Sequence, residues 1–405
     1  MKLTLKFKLK YDTDIIKTMS AYIAALNYVS SKEFNLNSKI TNPVELSKKY
    51  YSVIRDKFGL PAQHTCSIFR DIAAAYKASR TKKHKLKNPI YFKRPFFSVV
   101  RNRSFSFDLN KLIVKITTNN GRKSFDIKLS DYHRRYINNS ISYCDSTVSQ
   151  DRKGRIYLNL TIDIPETEIS TNGNTMGIDI GLTKFATCCT NNGKTLVING
   201  GSIKDKRIKF LNLRKRLQHK GTLSAKRLLR KLSGRENRWM RNVNFCAIKA
   251  IINFAKENNV SYIGIEDLTN IRNSSKKLSK NLRRTINSWA FYQFKEILCY
   301  KTKMNGISVI QVDPRFTSQA CSKCGYVNKE NRKSQKCFKC ISCGYAHNAD
   351  INAASNIELL TRITRSNELS RGAINHPYTK DVDSKGLFRQ LRTSLTCKLT
   401  SLSSE

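Results

Sequence analysis

The most constraining stretch of this sequence is an apolar run that contains a single carboxylate. Residues 176–187 read MGIDIGLTKFAT, which predicts a buried strand ending near Asp179, a turn at Gly181 and a second strand. An acid in an apolar strand is costly to bury unless a partner neutralises it. Two further acids have comparable surroundings, because Glu266 ends a predicted strand and Asp350 lies near the start of a predicted helix. The sequence therefore predicts that three distant acids meet and hold divalent metal ions.

The chemistry of these three side chains indicates which metal they would bind. Ligands that are all carboxylates, without a histidine cluster, favour Mg²⁺ or Mn²⁺. Two such ions about 3.5–4 Å apart can activate a water molecule and stabilise the leaving oxygen of a phosphodiester. Asp350 taken alone could instead cap its helix, which is a common role for aspartate. Support for the metal hypothesis therefore comes from the strand context of the acids together with the basic charge of the chain and its cysteine motif.

The charge of the chain indicates a polyanionic partner. The 405 residues include 75 Lys and Arg against 29 Asp and Glu, so the formal net charge is +46. Such a protein repels itself unless a polyanion neutralises it, and phosphate contacts supply most of the affinity for nucleic acid. The alternatives are a merely basic surface or contact with an acidic membrane. No apolar run approaches the ~20 residues of a membrane-spanning helix, so we expect a cytoplasmic protein without a membrane partner.

The cysteines predict a structural zinc site. Two CxxC pairs, each followed by glycine, are separated by fifteen residues and comprise Cys321, Cys324, Cys340 and Cys343. Four thiolates at this spacing can close a tetrahedral Zn²⁺ site with no open position. A fifth thiol, Cys337, could compete as a ligand but is interpreted as a bystander. Unbound thiols or a redox pair remain the alternative.

Periodicity along the chain predicts a multidomain α+β protein. Alternating strands, interrupted by helices over residues 14–80, predict one small β-barrel, and a polar linker begins at Pro165. An α/β domain follows, and it carries the three acids. The predicted boundaries are 1–13 and 81–170 for the barrel, 14–80 for the helical insertion, 171–312 and 348–360 for the α/β domain, 313–347 for the zinc ribbon, and 361–405 for an unstructured or RNA-associated tail.

A strongly basic helical segment lies inside the α/β domain. Residues 204–241 contain 15 Lys or Arg and two acids, and Gly221 divides them into a predicted helical pair. An amphipathic helix is predicted over residues 245–258. The basic pair is either a solvated helical face or a surface that follows nucleic-acid phosphates, and we favour the second. Its candidate phosphate contacts are Arg214, Arg216, Arg227 and Arg230.

Several motifs resemble the TnpB family of transposon-encoded RNA-guided DNA endonucleases and their compact Cas12 relatives. Gly177-Ile-Asp179-Ile-Gly181 is similar to the first RuvC motif, Gly264-Ile-Glu266-Asp267 to the second and Asp350-Ile-Asn-Ala-Ala354 to the third. Residues 313–321, DPRFTSQAC, resemble the segment that leads into the family's zinc ribbon. The resemblance covers most of residues 175–357 and is looser before them. Phe245 is a departure, since relatives often have histidine there.

The resemblance implies a fold and a set of residue roles. The fold would be a wedge-type β-barrel with a helical recognition insertion, followed by an RNase H-like (RuvC) nuclease domain with a four-cysteine zinc ribbon. Asp179, Glu266 and Asp350 would bind two Mg²⁺ or Mn²⁺ ions, and Arg332 matches an arginine that in some relatives contacts the scissile phosphate. An ordinary guide or DNA contact is the alternative role for Arg332.

The resemblance also implies partners. A structured guide RNA would pair with double-stranded DNA beside a short adjacent motif, while the protein reads shape and backbone. Gln63, Arg70 and Lys77 are candidates for reading that motif. A prokaryotic, nucleoid-associated monomer is favoured. The alternatives are a compact Cas12-type CRISPR effector, a guide-dependent binder without cleavage, a guide-independent resolvase-like nuclease or a zinc-ribbon transcription factor.

Overall fold

The computed structural model describes residues 1–35, 41–81, 86, 88–181, 183–268, 291–334 and 336–370. The chain divides into two compact units, Met1–Pro165 and Glu166–Glu405. This division falls at the start of the predicted linker. None of the described helices is long and apolar enough to cross a membrane.

The first unit contains eight strands and four helices in its described residues. Its strands are β1 (Lys2–Lys8), β2 (Phe96–Val99), β3 (Phe105–Asp108), β4 (Ile113–Thr118), β5 (Gly121–Asp126), β6 (Ser142–Tyr143), β7 (Ser146–Gln150) and β8 (Ile156–Asp163). Its helices are α1 (Thr13–Asn35), α2 (Pro43–Phe58), α3 (Ala62–Thr81) and α4 (Asp131–Ile137). The helical insertion predicted over residues 14–80 therefore corresponds to α1, α2 and α3.

The strands of the first unit pair across a long separation in sequence. The β1 strand buries alternate residues, as its sequence predicts, and pairs antiparallel with β8. The described strands form two sheets. One has five strands, in the order β1-β8-β7-β2 with β6 beside β8, and the other has three, in the order β3-β4-β5. One closed barrel is not confirmed, because no ladder within the described residues joins these two sheets.

The second unit is built on a mixed sheet. Its strands are β9 (Asn174–Asp179), β10 (Lys184–Thr190), β11 (Thr195–Asn199), β12 (Val260–Glu266), β13 (Ser308–Val312), β14 (Cys337–Lys339) and β15 (Ala346–Asn348). Its helices are α5 (Gly201–Lys220), α6 (Leu223–Glu257), α7 (Phe291–Lys303) and α8 (Ala349–Ser370). The main sheet has the order β11-β10-β9-β12-β13, in which β9, β12 and β13 are parallel and β10 is antiparallel to both neighbours.

The core of the second unit explains why its strands are so apolar. Met176 and Ile178 of β9 and Ile263 of β12 are buried with Ile248 and Ile251 of α6. A parallel strand covered on both faces needs apolar side chains in both directions, which matches these sequences. The carboxyl ends of β9 and β12 are therefore held rigidly, and each ends in an acid.

Two helical boundaries differ from the sequence predictions. The predicted pair is present, because Gly221 has a left-handed φ of 63° and Thr222 caps α6. The helix predicted over residues 245–258 is present, but it is the last part of α6, which continues to Glu257 because no proline or glycine breaks the pattern there. The α8 helix runs to Ser370, so residues 361–370 are helical and are not part of a tail. Residues 371–405 lie outside the described part of the chain.

Candidate active site

Two of the predicted acids lie at the carboxyl ends of two neighbouring strands in the middle of the main sheet. The β9 and β12 strands are parallel, with Ile178 opposite Ile265. Asp179 and Glu266 each follow these partners at the carboxyl ends of their strands. The carboxyl ends of parallel strands are where ligands and catalytic groups collect in α/β sheets.

The third acid is carried by a helix that lies directly on these two strands. Gly177 and Gly264 are opposite each other in the sheet. A Cβ atom at Gly177 would overlap the backbone of α8 at Ala354, and one at Gly264 would overlap the Thr361 side chain. Both positions therefore require glycine, because the helix approaches the strands too closely for any side chain. This contact explains Gly177 in the first motif and Gly264 in the second.

Asp350 is not the residue that caps α8. The Asn348 side-chain oxygen accepts hydrogen bonds from the backbone N–H groups of Asp350 at 3.0 Å and Ile351 at 3.4 Å. The capping role is therefore filled by asparagine, and the Asp350 carboxylate is not needed for it. The alternative interpretation of Asp350 as a helix cap is wrong.

The three acids interact electrostatically. Burial raises the pKa of Asp179, and the charges of Glu266 and Asp350 add to the shift while Arg332 opposes it, so that this pKa is about 7. Burial also raises the pKa of Glu266, against a hydrogen bond from Thr317 and the charge of Arg332. Within the described residues, the only group of metal-binding side chains whose ligand atoms all lie within 4.8 Å is a cysteine set, so the three carboxylates are less tightly clustered than that.

Arg332 lies beside the acids. Its guanidinium is 3.6 Å from the Asp350 Oδ1 atom, and the side chains are 28% and 15% exposed. A largely buried guanidinium among carboxylates offsets part of their mutual repulsion. The residue follows a short 3-10 turn at Lys329–Asn331, within the zinc ribbon.

The segment between β13 and the first zinc-site cysteine, Cys321, contributes a residue to which the sequence analysis assigned no role. The Thr317 hydroxyl donates a hydrogen bond to the Glu266 Oε1 atom at 2.7 Å. The Asn356 side chain of α8 in turn donates to the Thr317 carbonyl oxygen at 2.8 Å. Asn352 and Asn356 are four residues apart and therefore lie on one face of α8. This spacing was the signal in the sequence that could have indicated a polar contact between α8 and another segment.

The four predicted zinc ligands come together. The Cys321 and Cys343 sulfurs are 3.7 Å apart, and those of Cys324 and Cys340 are 3.6 Å apart. All four ligand atoms lie within 4.8 Å of one another, which suits a tetrahedral zinc site. Cys337 is exposed on β14 and lies outside this group, as predicted for a bystander.

Two equivalent turns build the cysteine site. Gly325 and Gly344 have φ values of 72° and 70°, and they donate backbone hydrogen bonds to the carbonyls of Cys321 and Cys340. These left-handed conformations favour glycine, which explains why a glycine follows each CxxC pair. Zinc would therefore find two preformed knuckles.

The candidate nucleic-acid contacts lie in both units. Gln63, Arg70 and Lys77 are spaced seven residues apart on α3; Gln63 accepts a hydrogen bond from Arg103 at 3.4 Å, and Arg70 is 3.6 Å from Asp145. Their role in reading an adjacent motif stays a prediction.

The basic helical pair presents most of its candidate arginines to solvent. Arg216, Arg227 and Arg230 are exposed. Arg214 forms an ion pair with Glu236 that joins α5 to α6, so it contributes to the packing of the pair. The exposed three are placed to meet a polyanion, and their contact with phosphates remains a prediction.

Two family models match consecutive parts of the chain. Residues 157–272 match OrfB_IS605, described as a probable transposase, and residues 291–357 match the Cas12f1-like TNB domain. The second match covers the ribbon and the third acid. The first covers β9 and β12, which carry the other two.

Similar proteins extend these matches. The chain is 31% identical over 225 residues to the CRISPR-associated endodeoxyribonuclease Cas12f1 of Sulfoacidibacillus thermotolerans, covering 52% of each protein. It is 34% identical over 145 residues to the TnpB-like protein MJ0751 of Methanocaldococcus jannaschii, covering 36% of this chain and 51% of the relative. It is 30% identical over 233 residues to the putative RNA-guided DNA endonuclease InsQ of Escherichia coli K12, covering 52% and 55%. The chain thus spans about half the length of these relatives.

Solved structures share the fold. A cryo-EM structure of a Cas12f1–sgRNA–target DNA complex superposes with a TM-score of 0.61 at 18% identity, covering 85% of this chain and 81% of that one. The mini-RNA-guided endonuclease CRISPR-Cas_phi3 superposes with a TM-score of 0.52 at 14% identity, covering 88% and 92%. The resemblance predicted from the motifs is confirmed: the chain is related to the TnpB-like and Cas12f proteins.

Proposed function

We propose that this relative of the TnpB-like and Cas12f proteins is an RNA-guided DNA endonuclease whose RuvC-type centre contains Asp179, Glu266 and Asp350. The observation that carries the proposal is the electrostatic coupling of three acids from separate elements, next to Arg332. The sheet order β11-β10-β9-β12-β13, in which β9, β12 and β13 are parallel and β10 is antiparallel to them, is the order expected of an RNase H-like domain. The names of the relatives support the same reaction class.

The acid site suits divalent cations. Its donors are carboxylate oxygens, and its buried acids repel one another, which helps to raise the pKa of Asp179 to about 7. A cation among them would favour their ionised forms. Asp179, Glu266 and Asp350 would hold Mg²⁺ or Mn²⁺, which supplies an activated water and charge stabilisation for phosphodiester hydrolysis. The four cysteines would hold one structural zinc ion.

The residues of the chain have separate tasks in this proposal. The sheet fixes Asp179 and Glu266, and α8 fixes Asp350 against them. Arg332 carries a positive charge beside the acids, where it would compensate them or contact the phosphate that is cut. The exposed arginines of α5 and α6 would follow a nucleic-acid backbone. Sequence recognition would be left to pairing between a guide RNA and double-stranded DNA in a prokaryotic cytoplasm.

The test is cleavage by the protein purified with the RNA that accompanies it. Sequencing that RNA defines a matched DNA, which is supplied with randomised flanks and Mg²⁺. We expect cleavage beside one short flanking motif, and loss of cleavage in Asp179→Ala without loss of DNA binding. Binding without any nicking would favour a guide-dependent binder, and activity that survives RNase treatment would favour a guide-independent nuclease. Cleavage by Asp179→Ala at the wild-type rate would refute the proposed centre.

A transposon or a CRISPR context would use the same site. The probable-transposase match over residues 157–272 favours association with a transposable element. A compact CRISPR effector is the second candidate, because residues 291–357, which include Arg332 and Asp350, match the Cas12f1-like TNB domain and the chain is similar to Cas12f1 proteins. The RNA that copurifies distinguishes them, since an element-derived RNA and a repeat-derived RNA differ in the sequence next to the guide.

A further inference from the structure

The segment between β13 and the zinc ribbon places a buried hydroxyl against the second acid. Thr317 is only 2% exposed, and its Oγ1 atom lies 2.7 Å from Glu266 Oε1 and 3.0 Å from the Pro314 carbonyl oxygen. A hydroxyl has one proton to donate, and a carboxylate is the stronger acceptor. The shorter contact is therefore the one that fixes the Glu266 side chain.

The backbone of this segment is fastened to the helix that carries the third acid. Asn356 donates to the carbonyl oxygens of Thr317 and Ala320, both at 2.8 Å. Asn352 donates to the Ala320 carbonyl at 2.8 Å and accepts from the Ser322 N–H at 3.0 Å. Both asparagines are buried on α8, so these bonds are shielded from competing water.

These contacts form one continuous path between two acids. Glu266 is held by Thr317, Thr317 is held by Asn356, and Asn356 shares its helix with Asp350. The orientation of the Glu266 carboxylate is therefore set by the same helix that places Asp350. A hydrogen-bonded partner that orients a ligand typically changes metal affinity about 10–100-fold when it is removed.

We propose that Thr317 is a positioning residue that orients Glu266 for metal, and that Asn356 fixes Thr317 with respect to Asp350. This inference rests on the proposed function, because it assumes that the acids bind a divalent cation. In this role Thr317 would act through the Glu266 carboxylate and would not itself be a metal ligand. Its hydroxyl leaves the second oxygen of Glu266 available as a ligand.

The experiment measures Mn²⁺ binding to the full-length, zinc-loaded protein by electron paramagnetic resonance, without DNA. The part of the binding that Asp179→Ala removes defines the acid site. We expect Thr317→Val, which keeps the shape and lacks the hydroxyl, to weaken that binding roughly 10-fold or more. Thr317→Ser keeps the hydroxyl and should restore affinity to near the wild-type value.

A matched control separates positioning from general loss of structure. Thr302 is another buried threonine of the same unit, and its hydroxyl donates to Leu298 and Cys299 carbonyls instead of to an acid. Thr302→Val should leave Mn²⁺ affinity unchanged. If the Tm of Thr317→Val is well below that of Thr302→Val, Thr317→Ala is used in place of Thr317→Val. Alanine removes the hydroxyl without placing a methyl group against Glu266.

Failure of this inference and failure of the proposed function give different results. Wild-type Mn²⁺ affinity in the hydroxyl-free variants, with loss of binding in Asp179→Ala, would overturn the role of Thr317 and leave the metal site intact. Mn²⁺ binding that Asp179→Ala does not reduce would instead overturn the metal site on which both depend. Equal losses in the valine and serine variants would also overturn the inference, because the hydroxyl would then not be the determinant.

Discussion

Replacing Asp179 with asparagine should stabilise the metal-free protein at neutral pH. Burial and the two neighbouring acids raise the pKa of Asp179 from its ordinary value of 3.8 to about 7. The folded protein therefore holds this proton more tightly than the unfolded chain does. Stability falls as the pH rises from 3.8 towards 7 and then levels, because the unfolded chain loses the proton first.

The size of the effect follows from the shift. About three pKa units at 1.36 kcal/mol each give roughly 4 kcal/mol of destabilisation above pH 7, relative to an aspartate with no shift. Roughly 2–3 kcal/mol of this develops between pH 5 and pH 8. At about 2–4 °C per kcal/mol for a unit of this size, Asp179→Asn should gain roughly 5–10 °C in Tm over the wild type across that interval.

The assay is thermal melting of both proteins at pH 5 and pH 8 in buffer free of Mg²⁺, without a chelator, so that the zinc is kept. Asp205→Asn, at an exposed position on α5, is the matched control and should change Tm little at either pH. Adding Mg²⁺ at pH 8 should raise the Tm of the wild type more than that of Asp179→Asn. If the Tm of Asp179→Asn minus the Tm of the wild type is constant or becomes smaller from pH 5 to pH 8, the reasoning is refuted.

Two further predictions concern the zinc ribbon and the contact between helix and sheet. Cys340→Ala should lose zinc, as measured by metal analysis, and have a lower Tm, because structural zinc contributes folding free energy. Cys337→Ala should keep one zinc ion per chain. Equal zinc contents of the two variants would refute the assignment of the zinc ligands. Gly177→Ala should destabilise the protein by roughly 1–3 kcal/mol or more, because its methyl group meets the backbone at Ala354, which cannot move aside as a side chain can. Gly201→Ala has open space and serves as the control in denaturant unfolding, and equal stabilities of the two alanine variants would contradict the packing argument.

Local signals predicted the parts of the fold that depend on neighbouring residues. The break between α5 and α6 was readable because Gly221 and Thr222 have strong positional preferences. The two cysteine turns were readable for the same reason, since glycine at Gly325 and Gly344 takes a left-handed conformation. Such preferences act within a few residues and do not require the rest of the fold.

Strand pairing and individual hydrogen bonds between distant residues were not predicted. The strands of the first unit alternate clearly, but alternation does not specify which strands pair, and the single barrel expected is not confirmed by the two sheets observed. The hydrogen bond from Thr317 to Glu266 spans 51 residues and has no local signature. The Asp350 carboxylate was placed correctly near a helix start, but only the structure shows that Asn348 supplies the cap.

The direct passage from β15 into α8 ties the ribbon to the acid site. Asn348 is the last residue of β15 and Asp350 the second of α8, so no hinge lies between them. The ribbon strand and the helix that carries Asp350 are therefore joined without an intervening loop, and a displacement of β15 should also displace the start of α8. Extraction of zinc, which would loosen the ribbon, should for the same reason alter the position of the Asp350 carboxylate.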